Sequence, residues 1–280
     1  MMLFSIGVML ESFRLDYPAA IKKAKELGAQ GIQVYTTTGD LAPENMSGAK
    51  RREFLAMVQD SGLVISALCG DLGHGFGDKE RNASLVERSC RILDLAKDLE
   101  TSVVTTHIGV VPADKNHDRY KVMAESCRDL ADYADKLGAH FAVETGPERA
   151  ETLKGFLDSL GSTGVAVNMD PANLVMVTGD DPAQAVYTLR DYIVHTHAKD
   201  GRKLRDKPPE AIYGLSNDAE GEMGDAFIEL PLGQGDVPWD RYLAALVDIG
   251  YHGFLTIERE VGAEPERDIR TAIEFLRKRI

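Results

Sequence analysis

Acidic and imidazole side chains close several short apolar runs in the second half of this 280-residue chain. Glu144 ends Phe-Ala-Val-Glu, Asp170 ends Val-Asn-Met-Asp, His195 and His197 lie in Ile-Val-His-Thr-His, and Glu258 ends Leu-Thr-Ile-Glu. An ionisable group at the end of a buried apolar segment is costly unless it is paired or bound to a metal. Any one of these residues could be a satisfied polar group or, for Asp170 before Pro171, the start of a turn. The set together points to a site. Three carboxylates and an imidazole make a hard, oxygen-rich ligand set suited to one divalent ion: Mn²⁺, Mg²⁺ or Co²⁺, with Zn²⁺ admitted by the imidazole. In a strand, His195 and His197 share a face and Thr196 points the other way. His197 lies nearer the carboxyl end and is the expected ligand, which leaves His195 as a deeper residue or a substrate contact. The expected metal set is therefore Glu144, Asp170, His197 and Glu258.

Those residues meet only if the fold brings the run ends together. Apolar, β-branched runs at 3–8, 31–35, 63–69, 102–108, 141–144, 165–170, 193–198 and 254–258 alternate with longer segments. The longer segments lie at 17–27, 50–60, 85–99, 119–137, 150–160, 182–190, 239–248 and 268–277. Their apolar residues recur at three- and four-residue steps, the period of an amphipathic helix. Gly28, Gly62, Gly138 and Gly250 each fall just after a helix and before a strand, where a left-handed cap is expected. Eight strand–helix units with near-continuous apolar strands predict a parallel sheet covered by helices. An open doubly wound sheet is the alternative, but eight units favour closure into a single-domain (β/α)₈ barrel over residues 1–280. Such barrels take about 250 residues, and the carboxyl ends of all their strands converge on one face.

Further polar residues stand just beyond strand ends on that face. His107, Glu148, Asn173, Lys199 and Arg202 are candidate substrate contacts, with His195 as a sixth. The longest connection, 199–238, follows the seventh strand and suits a lid or binding loop. His74 sits in Gly-Asp-Leu-Gly-His-Gly-Phe-Gly, a glycine-rich loop after the third strand that could close over the site. Cys69 reads as a small buried hydrophobe, and Trp239 as a packing residue.

Charge excludes one class of partner. The chain carries 32 Lys and Arg against 45 Asp and Glu, a net charge of −13. Nucleic-acid binding needs a basic surface to neutralise phosphates, and only short helical groups such as Lys50-Arg51-Arg52 occur here. The same balance tilts the expected substrate toward an unphosphorylated molecule. No apolar run approaches the roughly 20 residues of a membrane span, and the opening residues lack the basic region and cleavage site of a leader. Three widely spaced cysteines, Cys69, Cys90 and Cys127, suit the reduced thiols of a cytoplasmic protein. Homo-oligomerisation is left open.

The chain resembles the xylose isomerase-like barrel superfamily. That group includes sugar phosphate isomerases and epimerases, ketose 3-epimerases, inosose dehydratases and endonuclease IV-type DNA-repair enzymes. The resemblance covers essentially the whole chain. It is most specific in Val143-Glu144-Thr145-Gly146, Met169-Asp170-Pro171-Ala172-Asn173, His195-Thr196-His197-Ala198-Lys199-Asp200, Pro231-Leu232-Gly233-Gln234-Gly235-Asp236-Val237 and Thr256-Ile257-Glu258. It implies that Glu144, Asp170, His197 and Glu258 are the protein ligands, and that Glu144 and Glu258, on opposite sides of a bound ketose, form an acid–base pair. The chain departs from the DNA-repair branch, which has a metal-binding histidine where Asn173 stands and an Asp-x-His pair in place of Phe227-Ile228-Glu229. One metal rather than three is therefore expected. Ketose 3-epimerases also often carry a histidine at the position of Asn173.

The expected function is a metal-dependent isomerase or epimerase acting on a small ketose or related polyol ketone, by proton abstraction next to a metal-bound carbonyl. An inosose-type dehydratase or a 3-keto-sugar eliminase shares that first step. A non-catalytic sugar-binding barrel would be expected to lack a ligand, and all four are present.

Overall fold

In the computed structural model, which describes residues 3–215 and 225–280, all eight apolar runs are strands and all eight longer segments are helices. The strands are β1 (Ser5–Met9), β2 (Gly31–Tyr35), β3 (Val64–Cys69), β4 (Val103–Thr106), β5 (His140–Glu144), β6 (Val165–Met169), β7 (Ile193–Ala198) and β10 (Phe254–Ile257). They pair in parallel, in the closed order β1-β10-β7-β6-β5-β4-β3-β2, with Ser5 opposite Phe254 at the seam. The surrounding helices are α1 (Tyr17–Leu27), α2 (Gly48–Asp60), α3 (Lys79–Asp98), α4 (Asp118–Leu137), α5 (Ala150–Leu160), α7 (Pro182–Leu189), α9 (Trp239–Asp248) and α10 (Pro265–Arg277). Gly28, Gly62, Gly138 and Gly250 have φ of 89°, 70°, 60° and 77°, the left-handed backbone the sequence called for. Among the described residues, no helix is long and apolar enough to cross a membrane.

The strand residues divide by their pleat. One set, including Ile6, Ile32, Val104, Phe141, Val167 and Leu255, is fully buried with the apolar faces of the helices. The other set faces the barrel interior and is small or polar. Ala67, Val103 and Ala142 form an apolar cluster of their own. Gln33, Thr105, Asn168, His195 and Thr256 are buried and hydrogen-bonded to one another or to the site above them. Barrel interiors are more often filled by bulky branched side chains; this one carries a polar layer. Lower in the barrel, Phe254 fills the space. A Cβ on Gly31 would lie 2.5 Å from the Phe254 Cε1, so that strand position has room only for glycine.

Two short features lie outside the eightfold pattern. After β6 the chain turns through α6 (Pro171–Asn173) and a π-helical turn over Leu174–Thr178, an arrangement concentrated at functional sites. The connection 199–238 also has more structure than a plain loop. Its β8 (Asp200–Lys203) pairs antiparallel with β9 (Phe227–Leu230), and α8 (Pro209–Ile212) lies between them; the rest of that connection, 216–224, is outside the described residues. Asp200 anchors this unit by accepting hydrogen bonds from the backbone N–H groups of Gly201, Gly233 and Val237 and from Trp239 Nε1, at 2.8–3.2 Å. Trp239 thus packs edge-on against Tyr242 and Phe275, as a packing residue should, and also makes a buried polar contact.

Candidate metal centre and cavity

Glu144 is the last residue of β5, Asp170 follows β6, His197 lies in β7 and Glu258 follows β10. Adjacent strand ends bring one donor atom from each within 4.8 Å of all the others. His197 Nδ1 is 3.5 Å from Glu144 Oε2, 3.5 Å from Asp170 Oδ2 and 3.4 Å from Glu258 Oε2. All four residues are buried. Asp170 Oδ1 accepts from the backbone N–H groups of Ala172 and Asn173, which fixes the carboxylate at the start of α6. Its Oδ2 is buried with no hydrogen-bond partner. A buried carboxylate oxygen without a partner is costly, and here it faces the shared centre.

The electrostatics make the same demand. Burial alone would lower the His197 pKa, yet the carboxylates of Glu258 and Glu144 raise it well above its ordinary value. Burial pushes Glu258 up, but Lys199 and His197 hold its carboxyl well below the usual range. Three buried carboxylates in one pocket require positive charge, and Lys199 Nζ, 2.9 Å from Glu258 Oε2 and 2.6 Å from Glu260 Oε2, supplies part of it beside Glu258. The donor set fits a divalent cation held by Glu144, Asp170, His197 and Glu258.

Support for the imidazole comes from the polar layer beneath. Gln33 Oε1 lies 3.2 Å from His197 Nε2 and 3.0 Å from His195 Nε2, while its amide donates to Thr105 Oγ1 at 2.9 Å. An N–H at His197 Nε2 donating to that oxygen leaves Nδ1 as the lone-pair nitrogen facing the carboxylates, the usual way a ligating histidine is oriented. His195 sits one layer down, 2.9 Å from Thr256 Oγ1, and burial followed by the neighbouring His197 drives its pKa down to about 3. Asn168 Nδ2 donates to Glu144 Oε2 at 3.2 Å. Neither Gln33 nor Asn168 stands out in the sequence, although each is the polar residue in an apolar run and strand alternation places each inside the barrel.

Above the cluster lies a cavity of about 270 Å³, lined by Glu144, Glu258, His107, Asn173, Lys199 and Asp71 among others, with Tyr213 and Ile212 of the α8 segment over it. Asn173 donates to Glu144 Oε1 at 2.7 Å. The close turn at Gly146, with φ of 132°, allows this approach: a Cβ there would be 2.4 Å from Asn173 Cβ. His107 places Nδ1 3.1 Å from Asp71 Oδ2 and Nε2 3.6 Å from Glu144 Oε1. Burial works against its charged form, but Glu144 and the Asp71 hydrogen bond raise its pKa to about 9. Asp71 was legible by the rule that marked Glu144, since it follows the end of β3.

Other sequence candidates fall elsewhere. Glu148 is buried outside this cavity, where its Oε2 accepts from the Val111 backbone N–H at 2.9 Å. Arg202 is on β8 and pairs with Asp236 at 3.0 Å, away from the cavity lining. His74 is exposed and does not line the cavity, although Asp71 from the same loop does. Cys69 is a buried thiol at the cavity wall, its pKa raised by burial.

A family model described as "Xylose isomerase-like TIM barrel" matches residues 21–279, and the chain belongs to that family. Solved structures share the fold along nearly its whole length. A xylose isomerase domain protein from Planctomyces limnophilus is 24% identical, with a TM-score of 0.78 over 98% of this chain and 96% of its own. The probable 3-DHS dehydratase of Bacillus anthracis, involved in petrobactin synthesis, is 19% identical, with a TM-score of 0.77 over 99% of this chain and 100% of its own. The 3-keto-D-glucoside 4-epimerase of E. coli is 17% identical, with a TM-score of 0.74 over 98% and 99%.

Proposed function

We propose that this chain is a divalent-metal-dependent isomerase or epimerase of a small ketose or related polyol ketone. The observation that carries this reading is the ring of Glu144, Asp170 and Glu258 around His197 Nδ1, two of whose carboxylates, Glu144 and Glu258, line a cavity of about 270 Å³. A cation held by those four residues would supply Lewis-acid polarisation of a substrate carbonyl, which acidifies the neighbouring C–H bond. Glu144 takes that proton, held at the cavity wall by Asn173 and His107. Glu258, on the other side, is the partner group: it passes on a proton drawn from the Lys199 ammonium 2.9 Å away, which solvent then replenishes. Return to the opposite face of the same carbon epimerises it; return to the adjacent carbon isomerises. His107, Asn173 and Lys199, which line the cavity, are the groups we assign to substrate hydroxyls, with His195 in the layer beneath. Asn173 and Glu229, where the DNA-repair branch has further metal-binding groups, are engaged with Glu144 and Arg259, which supports a single ion.

The test is turnover of a ketose panel by metal-loaded protein in D₂O. Deuterium should appear at the carbon next to the carbonyl; turnover without it would sink proton abstraction. A second reading, loss of a β-hydroxyl after the same first step, is favoured by the Asp71–His107 pair. Asp71 holds Nδ1, so that Nε2 faces the cavity as an acid for a departing hydroxyl. Rising ultraviolet absorption from an enone, with inososes or keto-sugars as substrates, selects this second reading. An epimer formed without such absorption selects the first.

A further inference from the structure

The cavity continues past Glu258. A second cleft of about 320 Å³ adjoins it, and Met9, Tyr35, Glu258 and Glu260 line both spaces. Glu11, Ser12, Arg14 and Arg259 complete the cleft, from the turn after β1 and the residues after β10. We propose that this cleft is a second sugar-binding subsite, so that the substrate is a glycosidically substituted keto-sugar. The reacting unit lies over Glu144 and Glu258, and the second ring lies against Tyr35 between Glu11 and Arg14. The proposal rests on the sugar isomerase or epimerase reading above.

Size is the first argument. The inner cavity, at about 270 Å³, falls below the roughly 300–1,000 Å³ usual for small-molecule pockets, and the adjoining space brings the whole within that range. Wall chemistry is the second. A sugar ring presents hydroxyls at its rim and C–H groups on its faces, and it is matched by an aromatic surface flanked by a carboxylate and a guanidinium. Tyr35 and Glu11 are held in fixed relation, since Glu11 Oε1 accepts from the Tyr35 backbone N–H at 2.9 Å. The cleft is also built in advance. Arg14 adopts left-handed backbone, φ 56°, although it is not glycine. Its guanidinium donates to the carbonyls of Gly262 at 2.6 Å and Glu260 at 3.1 Å, and Ser12 Oγ accepts from the Arg259 N–H at 2.9 Å. The turn after β1 is thereby fastened to the segment after β10. Non-glycine residues kept in sparsely populated backbone regions cluster at ligand clamps.

A matched pair of ligands tests this: a free keto-sugar and the same keto-sugar as its glucosyl glycoside, each with the Mn²⁺-loaded protein. Calorimetry is expected to give the two-ring compound a Kd lower by about tenfold or more, with a parallel gain in kcat/KM for solvent deuterium exchange. Arg14→Gly, which suits the local backbone, and Glu11→Gln should each move that ratio toward one, with melting curves confirming that both variants fold. Equal or undetectable affinities in the parent protein, or a ratio that neither variant moves, overturn the subsite. Preferential two-ring binding without exchange from any ligand leaves the subsite standing and removes the isomerase or epimerase reading. Exchange without a two-ring preference does the reverse.

Discussion

Glu144 serves both as a candidate ligand and as a proposed base, and a single substitution can weigh the second duty. Glu144→Gln keeps the size and one acceptor for Asn173 but removes the proton acceptor. Turnover is expected to fall about 100- to 10,000-fold with an unchanged circular dichroism spectrum; near-normal activity would refute the assignment. Gln33 acts at one remove. Gln33→Met deletes the oxygen that faces both His195 and His197, and metal affinity by calorimetric titration is expected to drop about 10- to 100-fold. The candidate ligands were legible in the sequence because charge at the end of an apolar run is rare and costly. Gln33 and Asn168 were not, because alternation shows which way a strand residue points without showing that the interior there is polar. Glu148 misled for the opposite reason: it follows a strand end closely, yet the turn through Pro147 carries its carboxyl to the Val111 N–H.

At the scale of elements, the eight strands and eight main helices were legible because short, near-continuous apolar runs alternate along the chain with longer segments of three-to-four period, four of those segments ending at a capping glycine. β8 and β9 were hidden. Asp-Gly-Arg-Lys has little strand propensity, and its pairing with Phe227–Leu230 is set by a distant partner and by the bonds to Asp200. The turn after β6 escaped because three- to five-residue helices are too short for a period to show. The interior packing of β2 gives a direct test. Gly31→Val would drive its side chain into the Phe254 ring, so denaturant unfolding is expected to show a loss of about 1–3 kcal/mol. An unchanged midpoint would mean that Phe254 moves aside freely.

For the whole molecule, the buried carboxylates link stability to cations and to pH. A divalent ion at about 100 times its Kd should stabilise the fold by about 2.7 kcal/mol, raising Tm by about 5 °C, and chelation should reverse the gain. Glu148 supplies the pH dependence. Burial raises its pKa from 4.5 to about 8, against the Val111 hydrogen bond that lowers it. The folded state therefore holds this proton where the unfolded chain has released it, so the contribution is full below about 4.5 and is lost as pH rises through about 8. Glu148→Gln, which stays neutral and can still accept from Val111, should match the parent Tm near pH 4.5 and exceed it at pH 8. Parallel Tm curves would show that this carboxyl ionises freely in the fold.

The bond from Gln33 to the two histidines joins residues more than 160 positions apart. The candidate ligands are drawn from residues 144–258, but the group that steadies their imidazole comes from β2, across the seam where β1 meets β10. The last strand therefore completes the ring and the ligand set in one step. A half-made or unbuckled barrel has either too few donors or an imidazole free to turn. Readiness for a cation is thus a certificate of completion, issued only when the first and last strands have met.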